Sequence, residues 1–160
     1  MFQKISRAIL TVMVMVLNPK NEVLTVERVK SWQGITFPGG HLEPLESVLN
    51  AARREVLEET GIRIKDLKLK GLIHWFNRDN GERYLVWCVT AREHSGDLKD
   101  SSEGKAAWLP LEALTQDRVS PGFSEQIRIF TDPLVFEAFA TYGKDGDLEL
   151  IFDDGGISNL

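Results

Sequence analysis

The distribution of glycine and proline changes abruptly near residue 46, and that change fixes the centre of the chain. Gly34, Pro38, Gly39, Gly40 and Pro44 crowd the stretch from Lys30 to Leu45. Glycine loosens a backbone and proline removes a donor, so this stretch is expected to be extended segment and loop rather than helix. From Ser47 to Thr60 neither residue occurs, good helix formers dominate, and Gly61 stands where a left-handed residue commonly ends a helix. A loop running into one helix of defined start and stop is the expectation.

β-type sequence surrounds this centre. The runs Ile9 to Leu17 and Val23 to Val29 are separated by the turn-rich Asn18-Pro19-Lys20-Asn21, which predicts neighbouring strands in a meander. Lys4 and Arg7 ahead of the apolar run could imitate the start of a secretory signal. The run is too short for the about 20 residues a membrane helix needs, however, and a turn follows it in place of a small-residue cleavage site. Ile62 to Phe76 and Glu82 to Glu93 flank Asn80-Gly81, a strong hairpin signal, and are expected to pair antiparallel. A polar loop from His94 to Lys105 leads to a short strand at Ala106 to Leu109 and a helical turn at Pro110 to Leu114. Phe123 to Tyr142 reads as helix interrupted at Asp132-Pro133, and Leu148 to Phe152 as a last strand. Mixed elements without regular β-α alternation point to the α+β class, a sheet sandwiched by helices. One domain is expected, with its core at 7–142 and a mobile tail at 153–160.

Charge and cysteine usage narrow the function. A net charge of −5 gives little to replace counterions along a nucleic-acid polymer, so a phosphate-bearing ligand would need a cation from elsewhere. The single cysteine, Cys88, lies in an apolar run, which rules out an internal disulfide and a cysteine zinc cage, and gives it a packing role. A reducing cytoplasm and no membrane association fit this usage.

Chemistry concentrates in the central helix. At about 100° per residue, Glu55, Glu58 and Glu59 leave within an arc of roughly 100°, close to a C-terminus whose dipole opposes negative charge. On the helix alone, a solvated acidic face with an Arg54–Glu58 ion pair would explain these letters. The Phe37-Pro38-Gly39-Gly40 loop just upstream changes the balance, because glycines there let backbone groups approach an ion or a phosphate closely. An all-oxygen, acidic set is what Mg²⁺ or Mn²⁺ prefers, and Glu103 on a distant loop could add to it.

The segment from Gly40 through Glu46 to Arg54-Glu55-Val56-Leu57-Glu58-Glu59-Thr60-Gly61-Ile62 resembles the Nudix box, G-x5-E-x7-R-E-U-x-E-E-x-G-U, at all nine constrained positions. The resemblance implies a mixed sheet between helices, an α/β/α sandwich with the box as loop-helix-loop. It also implies Mg²⁺- or Mn²⁺-dependent hydrolysis of a pyrophosphate bond in a nucleotide-like small molecule, by a monomer or homodimer. By position, Glu55, Glu58 and Glu59 are similar to the family's metal ligands, and Gly39 to the residue lending a carbonyl. Arg54 is similar to the arginine that orients the first of those glutamates, Glu46 to a supporting acid, and Glu103 to a further ligand on a loop of MutT-like members. Within the family, the run from Ser95 to Leu111 looks like the MutT-like subgroup acting on 8-oxo-dGTP or related triphosphates. An ADP-ribose or nucleotide-sugar pyrophosphatase is the second reading, and a nucleotide-sensing module without turnover is a third, although the intact glutamates speak against it. Gly39, Gly40 and His41 are expected at the phosphates. Trp32, Trp75, Phe76 and Phe123 are the aromatic candidates for stacking a base, with His74 a possible polar partner.

Overall fold

The computed structural model describes residues 6–31, 33–144 and 146–153. Along the chain, β1 (Ala8–Val16), β2 (Glu22–Arg28), β3 (Gly34–Thr36) and β4 (Gly39–His41) precede helix α1 (Val48–Thr60). Then come β5 (Arg63–Lys65), β6 (Lys68–Asn77), β7 (Arg83–Ala91), β8 (Glu93–Ser95) and β9 (Gly104–Pro110). A 3-10 turn at Leu111–Ala113, helix α2 (Phe123–Thr131), β10 (Glu137–Tyr142) and β11 (Glu149–Asp153) complete the order.

The two-residue alternation of β1 organises the molecule. Val12, Val14 and Val16 enter one buried cluster while Met13 and Met15 enter another, so this strand has a core on each face. It is an inner strand of a six-stranded sheet ordered β11-β10-β6-β7-β1-β4. The sheet is mixed, since β1 runs parallel to β7 and β10 parallel to β6, whereas the other neighbours are antiparallel. Helix α1 covers one face through Ala51, Ala52 and Val56. Helix α2 covers the other, where Phe37 meets Phe123 and Phe130 edge to face at centroid distances of 4.9 and 5.2 Å. A second sheet, β3-β2-β9, and a small β5-β8 pair complete the fold. Sequence and structure thus agree on an α+β sandwich with helices on both faces of a mixed sheet.

Two expectations fail for physical reasons. β1 and β2 do not form a meander. A single bridge, Leu17 to Val23, joins them, after which β2 pairs with β3 and β9 in the second sheet. The Asn18 side chain accepts from the Lys20 and Glu22 amides, and Asn21 takes a φ of 61°, so the turn swings β2 away while β7 occupies the flank of β1. The helix read over Phe123 to Tyr142 stops at Thr131. Beyond Pro133 the chain becomes β10, whose alternate Ala138 and Ala140 are fully buried against the α2 side, so strand pairing with β6 prevails over alanine's helix propensity. The tail from 154 to 160 lies outside the described residues.

Candidate active site

Helix α1 is held in one rotational phase at both ends. The Ser47 hydroxyl accepts from the Asn50 amide at 3.3 Å at the start. Gly61, at φ 77°, donates its N–H to the Leu57 carbonyl at the end, and a β-carbon there would lie 2.6 Å from the Asp97 carbonyl oxygen. With Ala51, Ala52 and Val56 buried, Glu55 and Glu59 turn towards β4 and Glu58 towards the rim.

Arg54 is the hub of the acidic group. Its Nε and Nη2 donate to the two oxygens of Glu46, each at 2.9 Å, in a bidentate pair. Its Nη1 donates to Glu55 at 2.8 Å and to Glu58 at 3.3 Å, and Nη2 also reaches the His41 carbonyl at 2.9 Å. One guanidinium therefore fixes three carboxylates and the backbone of β4. The Arg54 hydrogen bond, helped by the Glu43 amide, draws the Glu46 carboxyl down to a pKa of about 2. The same pairing raises the pKa of Arg54.

Both glycines of β4 are required by close approach. A β-carbon on Gly40 would sit 2.5 Å from Oε1 of Glu55, so only glycine lets that carboxylate lie against the strand. Gly39 occupies an off-ladder position between the bonds Val14 N–H to Pro38 O and Leu42 N–H to Leu10 O, and its free amide donates to Glu59 at 2.9 Å. A β-carbon on Gly39 would collide with the Val12 carbonyl.

Burial opposes the charge these acids carry. It raises the pKa of Glu55, with Arg54 resisting. Glu59 is 6% exposed, and burial pushes its carboxyl up to about 7 against the Gly39 hydrogen bond, with Glu55 and Glu103 adding repulsion and Arg28 opposing it. Glu103 is thus brought to the group from its loop, 3.7 Å from Arg28 and 3.6 Å from Lys30.

Arg28 is the residue that sequence reading missed. It closes β2 with its side chain on the α1 side, and its Nε is the only buried side-chain polar atom without a hydrogen-bond partner among the described residues. A cation with an unmet donor beside Glu59 and Glu103 faces the same space as the carboxylates. The alternation of β2 could have flagged an inward arginine, but only with knowledge of which face was inward.

The aromatic candidates separate. Trp75 and Tyr84 lie on the α2 face of the sheet with His41, whose ring is 6.2 Å from that of Tyr84. Phe76, next in the strand, points to the other face beneath the Arg83 guanidinium, 4.9 Å from its ring centroid, and His74 bonds Arg83 there. Phe123 is fully buried in the core, and Trp32 lies outside the described residues.

The donor chemistry suits a hard divalent cation: oxygen ligands only, and a Glu59 whose pKa is raised by burial, with the neighbouring Glu55 and Glu103 adding to it. Among the described residues no three acidic or histidine side chains converge on one ligating point; Glu55 and Glu58 are bonded to Arg54, and Glu59 to Gly39. Two concavities, of about 320 and about 370 Å³, lie over Thr25, Lys105 and Arg118 and beside Lys65, Arg92 and His94, and include none of these acids. No helix among the described residues is long and apolar enough to cross a membrane.

The chain is similar to known proteins in sequence and in fold. The family model for the NUDIX domain matches residues 8–130. The uncharacterized Nudix hydrolase YvcI of Bacillus subtilis is 29% identical over 111 residues, covering 67% of this chain and 70% of that protein. The zebrafish (Danio rerio) 8-oxo-dGDP phosphatase NUDT18 is 33% identical over 111 residues, 66% of this chain, and this match spans only 31% of that protein. The crystal structure of a MutT protein from Bacillus halodurans superposes with a TM-score of 0.75 at 26% identity, covering 91% of this chain and 97% of that one. With its box helix, acidic rim and sandwich in place, this chain belongs to the Nudix hydrolase family.

Proposed function

We propose that the chain hydrolyses a pyrophosphate bond in a nucleoside triphosphate derivative, with an oxidised nucleotide such as 8-oxo-dGTP as the preferred substrate. The carrying observation is Glu59, a carboxyl buried beside Glu55 and Glu103, where both burial and like charge oppose its ionisation. That penalty is what a divalent cation would relieve, and Nudix hydrolases generally use such a metal. The 8-oxo-dGDP phosphatase name of the zebrafish relative supports the oxidised-nucleotide reading.

In this reading Glu55, Glu58, Glu59, the Gly39 carbonyl and Glu103 hold Mg²⁺ or Mn²⁺, with Glu46 supporting through Arg54. Bound there, the cation supplies charge neutralisation on the diphosphate and acidifies water for attack on phosphorus. Arg54 keeps Glu55 and Glu58 in place, and Gly40 gives Glu55 its room. Glu58, 60% exposed at the rim, takes the proton of the attacking water. The Arg28 donor meets a phosphate oxygen, His41 lies beside the phosphates, and Trp75 stacks the base. Phe76, on the other face, takes no part. The water oxygen forms a new bond to one phosphorus of the α–β bridge as the bond from that phosphorus to the bridging oxygen breaks, which releases a nucleoside monophosphate and pyrophosphate. The proposed setting is the cytoplasm.

A nucleotide panel with Mg²⁺ and identification of products tests this. Monophosphate and pyrophosphate from 8-oxo-dGTP, at a higher kcat/KM than from dGTP, is the expected result. Preferential conversion of ADP-ribose to AMP and ribose phosphate would establish the pyrophosphatase reading instead. Tight binding of one nucleotide with no turnover of any would identify a sensor.

A further inference from the structure

The face of the main sheet opposite α2 is only half covered. Helix α1 shields β1, β4 and the far end of β7, and the registers place the remaining side chains in rows across β11, β10, β6, β7 and β1. The middle row reads Ile151, Phe139, His74, Leu85 and Leu10, apolar apart from one histidine. Ile151 is 54% exposed and Leu10 42%. Such a band across five strands is more apolar than a solvated sheet face requires.

Charge is divided across this band. On one side, Arg83 lies over the Phe76 ring and donates to Nε2 of His74 at 2.7 Å, which assigns the ring proton to Nδ1. Burial and the Arg83 charge lower the His74 pKa, with Glu137 opposing them, and among the described residues no carboxylate is bonded to Arg83. On the other side, two residues along each strand from the band, stand Glu137 and Asp153, opposite each other in the β10–β11 ladder. Arg83 and Glu137 therefore occupy diagonal positions about His74.

We infer that this face binds a second copy of the chain. A two-fold axis lying in the interface and passing His74, perpendicular to the Arg83–Glu137 diagonal, sets Arg83 of each copy against Glu137 of the other and crosses the two apolar bands at His74. This is the isologous geometry of a symmetric dimer, with two ion pairs formed from residues that cannot reach each other within one chain. Five strands at about 4.8 Å spacing make a footprint at most roughly 20 Å wide, at the small end for a specific interface, so a weak, reversible dimer is expected.

Sedimentation equilibrium of the full chain from about 10 to about 200 µM tests for such a weak dimer. The mass should rise from 18.1 kDa towards twice that value. Arg83→Glu and Glu137→Arg should each weaken association at least tenfold, and combining them should bring it back to within about threefold of wild type, because the reversed charges still meet. The recovery separates a charge contact from a folding defect. A wild-type chain that stays at 18.1 kDa throughout, whether because the face is solvated or because residues of the same chain cover it, would overturn the dimer. So would single reversals that associate like wild type, or a double reversal that fails to recover.

Discussion

Arg54 and Gly40 show how little freedom individual positions have here. Five donor contacts fan out from one guanidinium, and a lysine, with a single ammonium, cannot span Glu46, Glu55 and the His41 carbonyl together. Arg54→Lys should lower kcat by about 100-fold while moving the melting temperature by only a few degrees, as steady-state kinetics and thermal unfolding would record. A surface ion pair would account for less than tenfold. Gly40→Ala acts through space instead of charge. Its methyl group needs the volume of the Glu55 carboxylate, so activity should fall by at least 100-fold with the secondary structure intact by circular dichroism, and wild-type kcat in this variant would refute the close-approach argument. The acids of this group were legible in the sequence because helical spacing alone puts Glu55, Glu58 and Glu59 on one side. Arg28 was not, since its contribution depends on a β2 that leaves its neighbour β1 for another sheet.

Turns decide the elements as much as apolar patterns do. Ser47 and Gly61 bounded α1 from sequence to within a residue, because capping is local chemistry. The β10 strand was hidden, because Ala138 and Ala140 favour a helix until the open flank of β6 offers them a ladder. Just ahead of α1, Leu45 holds a φ of 64° with its side chain wholly in solvent. A β-carbon in the left-handed region costs about 1–2 kcal/mol, more than the entropy glycine loses on folding. Leu45→Gly should therefore stabilise the protein by about 0.5 kcal/mol or more in urea unfolding, and a loss of stability would show that this turn is set by something other than local strain. On β6, His74 offers a pH test. Its folded pKa lies below the ordinary value of 6.5, so the stability it contributes is complete above that value and is lost as the pH falls through the folded pKa. The difference in unfolding free energy between wild type and His74→Gln should shrink from pH 7.5 to pH 5, and a constant difference would mean that the ring does not charge on unfolding.

At the scale of the whole molecule, the two cores and the acidic rim serve opposed ends. Packing on both faces of β1 makes the sheet rigid, and that rigid sheet holds Glu59 where water cannot solvate its charge. A globular chain has only about 5–15 kcal/mol of net stability to set against such a burden, so the carboxylate is tolerable only if catalysis requires it. Glutamine keeps the shape and an oxygen for the Gly39 amide but removes the buried charge. Glu59→Gln should thus raise the metal-free melting temperature at pH 8 while lowering turnover by several orders of magnitude. Adding Mg²⁺ should then reverse the ranking, because a ligand that binds only the folded state stabilises it in proportion to its occupancy, and only the wild type retains the full set of carboxylates. Differential scanning fluorimetry with and without Mg²⁺ measures all four states. If the glutamine variant melted below wild type in both, Glu59 would be a structural acid whose hydrogen bond to Gly39 outweighs its desolvation, and the strain assigned to the acidic rim would not exist.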